Sequence, residues 1–210
     1  MLGTHNLYIA YAPFGKQTQH TRDVVGKLKN QIYYNRNMEK GSFIALSWMT
    51  EEMKNEIRKR EKIVNEEDFD SLFSLNDNSD FSIALHQILV NRFDKKPNSL
   101  NQAQLNLFLC MHLENAGQAD SILSFLQEWF PEQKEQVIKS LNEIGATKSS
   151  EIIKQAVELL PEDGTWFFQN SDEKSEQLMG KLDKDFSDYP DGLMKDLYRK
   201  YAEMNRNKIE

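Results

Sequence analysis

LNLFLCMHLENAGQADSILSFLQEWFPEQKEQVIKSLNEIGATKSSEIIKQAVELLP, residues 105–161, decides the fold. Its apolar periodicity predicts four consecutive helices with short, chemically explicit breaks. Residues 105–113 are apolar on nearly every side, with only Asn106 and His112 intervening. A helix apolar all round belongs in the middle of a core. Gly117 stands where a C-cap glycine would end it. The second segment sets Ile122, Phe125, Leu126 and Trp129 at i, i+3, i+4 and i+7, one buried face. Pro131 opens the third, where its missing N–H costs least. That stripe is sparser (Val137, Leu141, Ile144), and Gly145 stops it. Thr147 is the expected N-cap of the fourth. Ile152, Ile153, Ala156, Val157, Leu159 and Leu160 then face inward, and Pro161 closes the segment.

The flanks read as further helices. Thr50 is an N-cap before a solvated helix, with Glu51 and Glu52 at its positive start and Met53, Ile57 and Val64 as a thin buried line. Asn65 begins a short helix holding Phe69, Leu72 and Phe73. Residues 75–80 form a loop ending in an N-cap, and a helix to about Arg92 buries Ile83, Leu85, Ile88 and Leu89. Asn101 begins the central helix. Beyond Pro161, a turn carries Trp166, Phe167 and Phe168, which cover the edge of the core. Residues 171–186 form an acidic helix burying Leu178, Met179, Leu182 and Phe186, residues 187–192 turn the chain, and a helix over 193–204 buries Leu193, Leu197, Tyr198 and Tyr201. The expected fold is all-α: one acidic helical domain, 46–210, of about seven or eight helices. Before it lies an irregular basic extension, 1–45, in which residues 6–15 are a candidate short strand and Met38 an alternative start.

Composition supports this. The chain has 210 residues, 39% hydrophobic, with 12 Phe, 3 Trp and 8 Met, enough for a sizeable core; 5 Pro and 9 Gly are too few for turn-rich β structure. The single cysteine, Cys110, excludes an intramolecular disulfide and reads as a small buried hydrophobe. No run approaches the ~18 apolar residues of a membrane span. The first residues lack the basic start and apolar centre of a signal peptide, so a cytoplasmic location is expected. The net charge of −7 is uneven. Residues 1–60 hold ten Lys/Arg against five Asp/Glu, and residues 61–210 hold sixteen against twenty-eight. An acidic body of this kind repels nucleic acid and membranes and attracts basic partners.

Catalytic motifs are missing. His5, His20, His86 and His112 form no metal-ligand spacing, and one cysteine cannot complete a structural zinc site. His86 and His112 lie on apolar helices and could meet in the fold, each reading as a hydrogen-bonded core or boundary histidine rather than a ligand. No phosphate-binding glycine loop and no nucleophile motif is present. No catalytic residue, metal or cofactor is therefore expected.

Three stretches carry a family resemblance: LNQAQLNLFLCMHLENAGQADSILSFLQEWF (100–130), LNEIGATKSSEIIKQAVELLP (141–161) and LDKDFSDYPDGLMKDLYRKYAE (182–203). They resemble a family of bacterial helical proteins whose domain is named after the C-terminal domain of a DNA-mimic protein. Glu114, Gly117, Phe125, Ile144, Gly145, Ala146, Leu197 and Tyr201 occupy the family's pattern positions. The first turn departs from it: many members have Asn-Gly-Gly-Phe where this chain has Asn115, Ala116, Gly117 and Gln118. The resemblance implies a DNA mimic that binds a DNA-binding protein.

A mimic needs carboxylates at phosphate-like spacing on a rigid scaffold. Helix neighbours at i, i+4 have Cβ atoms about 5–6 Å apart, against ~3.4 Å of axis per charge on one DNA strand. The expected partner-binding residues are Asp172, Glu173, Glu176, Asp183, Asp185 and Asp188, facing a basic protein surface. The function expected is that of a non-enzymatic interaction protein; a homo-oligomer is compatible with the sequence. The alternative is an enzyme or small-molecule-binding protein using the turn at residues 114–120, with Glu114, Gln118, Asp120 and Trp129 around a pocket.

Overall fold

The computed structural model describes residues 50–210. The expected extension 1–45, its candidate strand, Met38, His5 and His20 lie outside the described residues. Among the described residues the fold is all-α, with no strand. Its helices are α1 (Glu51–Glu66), α2 (Phe69–Phe73), α3 (Asn78–Lys95), α4 (Gln102–Ala119), α5 (Lys134–Glu143), α6 (Thr147–Glu158), α7 (Phe167–Asn170), α8 (Glu173–Ser187), α9 (Met194–Met204) and α10 (Arg206–Ile209).

α4 is the axis. Eleven of its eighteen residues are buried, and it packs against α3, α5, α8, α10 and the segment Ser124–Trp129. Asn101 starts it with a capping box: its side chain accepts from Gln104 N, and Gln104 Oε1 accepts from Asn101 N. α3 in turn carries α1, α2 and α9. Arg199 of α9 fixes the α2–α3 connection, donating to the carbonyls of Phe73 (2.7 Å) and Leu75 (2.9 Å) with its guanidinium over the Phe81 ring. Thr50 caps α1 as expected, through Met53 N at 3.2 Å. Ile63 is the buried residue of that helix, while Met53 is exposed.

Gly117 does not end α4, which runs on to Ala119. Its missing side chain serves packing instead: a Cβ there would stand 3.2 Å from Phe186 Cδ1 of α8. Gly145 is the true stop. At φ +90° it closes a Schellman motif, Gly145 N donating to Asn142 O and Ala146 N to Leu141 O. The second segment, expected as an α-helix, is π-helical over Ser124–Trp129. The wider turn ends with Phe130 N donating to Phe125 O and brings the Phe130 ring inward, 5.4 Å from Phe125 and 5.6 Å from Phe108. Pro131 opens a 3₁₀ turn leading into α5. Asp68 and Asp77, rather than Asn65 and Asp80, cap α2 and α3. Leu178 and Leu193, expected inside, are exposed.

α6 shows why local reading falls short at a cap. Thr147 is its first residue, not its N-cap, and no side chain at the preceding position caps it. The cap comes from the turn before α9. Asp191 accepts from Lys148 N (3.0 Å), Ser149 N (2.7 Å) and Ser149 Oγ (2.8 Å). A carboxylate on two free N–H groups at a helix start also meets the positive end of its dipole. Replacing Asp191 by Ala is expected to lower the unfolding free energy by about 1–2 kcal/mol. Urea denaturation followed by circular dichroism measures it, and an unchanged midpoint would show that water caps α6 equally well.

Candidate functional site

The six carboxylates expected to meet a partner divide into two kinds. Asp172, Glu173 and Glu176 stay on the surface around the start of α8. Asp172 is its N-cap, accepting from Ser175 N at 2.8 Å. Glu176 accepts from Ser171 Oγ, and Glu173 from Gln177 Nε2. None of the three has a cation within ion-pair distance among the described residues.

The other three are more committed. Asp183 turns inward and accepts from Ile122 N at 2.8 Å, tying α8 to the π-helical segment. Burial raises its pKa against that hydrogen bond, and Asp120 adds repulsion. Asp185 and Asp188 pair with Lys181 and Lys184 one turn back. The Asp188 contact raises the Lys184 pKa. Asp185 and Asp188 also meet Glu151 of α6 around a shallow basin of about 470 Å³, with Ile152 and Pro190 among its lining. Sequence reasoning missed Glu151 because it lies on a different helix; its exposed position on α6 was the only signal.

The four residues of the alternative pocket do not line this basin or the larger hollow of about 730 Å³ elsewhere on the molecule. Gln118 and Asp120 are exposed at the end of α4, and Trp129 is half-buried against the core. Asp120 accepts from Ser124 Oγ. Glu114 turns inward, accepting from the Tyr189 hydroxyl at 2.9 Å, and burial raises its pKa. Tyr198 sits beside the same carboxylate, its phenol pushed well above its usual pKa by burial first and then by the Glu114 charge.

His86 and His112 do meet. His86 Nε2 lies 3.2 Å from His112 Nδ1, which is also 2.9 Å from the Phe108 carbonyl. One proton assignment satisfies both distances: His112 carries Nδ1–H and donates to the carbonyl and to the lone pair of His86 Nε2. Phe108 lies tilted and Phe130 edge-on against the His112 ring. Burial pushes the His112 pKa down to about 4 against the pull of the Phe108 carbonyl. It pushes His86 well below its ordinary 6.5 too, with the neighbouring imidazole adding to the effect. Cys110, fully buried, has its thiol pKa raised by burial and then by Glu114.

Among the described residues no group of three or more His, Cys, Asp and Glu side chains could hold a metal ion. No helix among them is long and apolar enough to cross a membrane.

The histidine pair makes stability depend on pH with a definite sign. The unfolded chain takes up protons near pH 6.5 and the folded chain does not, so unfolding gains protons as pH falls. The contribution is constant above about pH 7.5 and is lost progressively from 6.5 towards 4, on the order of 3 kcal/mol for His112 by the lower end. Glu114 and Asp183 act with the opposite sign, their raised pKa values weakening the fold as pH rises through the ordinary carboxylate range. Unfolding free energies measured from pH 4 to 8 should fall on the acid side, and the double substitution His86→Gln, His112→Gln should flatten that limb. A wild-type profile flat below pH 6.5 would contradict the assignment of neutral buried rings.

The family model described as DMP19-like protein matches residues 98–205, which span α4 to α9. No curated protein and no solved structure matches the chain.

Proposed function

The chain belongs to the DMP19-like protein family, and on that premise we propose that it is a non-enzymatic interaction protein whose acidic face takes the place of DNA on a basic, DNA-binding protein. What supports this reading is the set of carboxylates that the fold leaves on one run of elements. Asp172, Glu173 and Glu176 crowd the start of α8, while Asp185, Asp188 and Glu151, three acids against the single Lys148, line the basin between α8 and α6. They are mounted on helices whose packing faces are buried through Met179, Leu182, Phe186, Ile153 and Ala156. The charges are therefore held at fixed spacing, as a mimic of phosphates requires.

In this reading the partner supplies Lys and Arg. Each exposed pair contributes only about 0–1 kcal/mol, so affinity comes from the cluster and from steering. Asp183 and Asp191 are excluded from the contact because they are spent on Ile122 N and the start of α6.

The test is retention of a DNA-binding protein from the native cell, followed by competition with that protein's own DNA duplex. The duplex should displace it. Binding should weaken steeply between roughly 50 and 200 mM salt, where screening of exposed charges tightens. Substituting Glu151, Glu173, Glu176 and Asp188 together by lysine should slow association about tenfold or more while leaving the circular dichroism spectrum unchanged. A partner whose affinity ignores salt, DNA and these substitutions would reduce the acidic face to a solvated surface.

A further inference from the structure

The hollow of about 730 Å³ lies among α4, α5, α9 and α10 and shares no lining residue with the acidic basin. Its walls hold polar pairs four residues apart: Gln102 and Asn106 on α4, Lys139 and Glu143 on α5, and Tyr201 of α9 with Asn205 at that helix's C-cap. Six of its eleven lining residues are Asn or Gln. A carboxamide offers one acceptor and two donors and is the side-chain group that most resembles a peptide bond.

The floor is built and rigid. Asn106 is buried, its Oδ1 accepting from Gln102 Nε2 (2.8 Å) and Ser140 Oγ (2.9 Å) while its Nδ2 donates to the Tyr201 hydroxyl (3.0 Å). Gln136 Nε2 donates to Ser140 Oγ as well. This network uses the donor ends of both glutamines and leaves both amide oxygens without a partner among the described residues. Among the described residues the Tyr201 hydroxyl hydrogen has no acceptor, and Lys139 and Glu143, though one turn apart, form no ion pair.

The same end of α4 already grips polypeptide main chain. Asn101 Nδ2 donates to Lys208 O (2.6 Å) and Gln104 Nε2 to Ile209 O (3.0 Å). The spacing suits more of it. Residues four apart on a helix rise about 6 Å, close to the two-residue repeat of about 6.6–6.8 Å in an extended chain. Polar pairs on a helix can thus meet successive peptide groups that face the same way.

We propose that this hollow binds an extended polypeptide segment through its main chain, with the free amide oxygens taking peptide N–H groups and the Tyr201 hydroxyl giving its proton to a peptide carbonyl. Two lysines against one glutamate in the lining favour a neutral or acidic segment. This is the opposite preference to that of the acidic face, so the two surfaces serve different ligands.

The experiment selects linear peptides from a displayed random library on the full chain, counter-selecting on the Gln136→Ala, Asn205→Ala variant. The best peptide is then made with ordinary and with alternately N-methylated peptide bonds. N-methylation and the double substitution should each raise Kd about tenfold or more, the loss of one or two hydrogen bonds. The side-chain amide signals of Gln102, Gln136 and Asn205 should shift in ¹H–¹⁵N spectra on titration. Should the double variant melt early, Lys139→Glu, at an exposed position of the lining, replaces it. Failure to enrich any peptide over the variant, or a selected peptide indifferent to N-methylation and substitution, overturns the proposal and leaves the acidic-face reading untouched.

Discussion

A helix enclosed on all sides cannot leave its polar side chains unpaired, and this requirement organises the molecule. α4 carries Gln104, Asn106, His112 and Glu114 into the interior. An unsatisfied group there would cost roughly 1–3 kcal/mol each. Every one finds its partner on another element: Gln104 on the Ile209 carbonyl of α10, Asn106 on Tyr201 of α9 and Ser140 of α5, His112 on His86 of α3, and Glu114 on Tyr189 after α8. Apolar contacts would tolerate some sliding of these helices along α4. The polar pairs do not, because each has a single geometry. The register of the bundle is therefore set by its buried polar residues, while the stability comes from the leucines and phenylalanines beside them.

The carboxylates follow the same logic at the surface. Asp183 and Asp191 cap backbone N–H groups of elements remote in sequence, and Asp68, Asp77 and Asp172 cap helix starts next to themselves. These acids are structural, and hydrogen bonds lower the pKa values of Asp68, Asp77 and Asp172: the Ser71 and Ser175 side chains first and then the backbone N–H groups for Asp68 and Asp172, and the Asp80 N–H for Asp77. The count of acids in a sequence thus overstates the charge available to a partner. Of what remains, Glu173, Glu176 and Asp185 lie on α8, which packs against α4, and Glu151 and Glu158 lie on α6, which packs against α5 and α8.

Much of the fold was legible because its signals are local. The apolar run of 105–113, the Gly145 stop and the Thr50 cap depend only on residues a few positions apart, and each occurs where periodicity and capping chemistry place it. The meeting of His86 with His112 was also legible, since two polar rings on apolar helices need each other. What was not legible depended on contacts across the chain. Gly117 reads as a stop until Phe186 is known to lie against it, and Thr147 reads as a cap until Asp191 arrives on Ser149 N from 42 positions away. The π-helical turn at Ser124–Trp129 preserves the apolar spacing of an α-helix in sequence and departs from it only to turn Phe130 inward. For the acidic site, the sequence names the charges and not their availability. Nothing in the order of residues 172–188 says that Asp183 faces Ile122 while Glu151 joins Asp185 and Asp188.

The ion pairs on α8 bear on how such a face would work. Lys181 and Lys184 hold Asp185 and Asp188 on an exposed helix surface, where pairs of this kind contribute little. Their weakness matters for recognition. An incoming arginine can displace a lysine from either carboxylate at small cost, and it brings a planar fork that binds carboxylates in two places at once. Its aliphatic stem can also lie on Ile152 and Pro190 of the basin, while Lys181 and Lys184 reach along their own helix to their carboxylates. On the proposed function the lysines would be placeholders on the two acids until a stronger cation arrives. Under the proposed reading, selectivity for arginine-rich surfaces follows from this exchange, because only a ligand that gains more than the resident pair loses can occupy the basin.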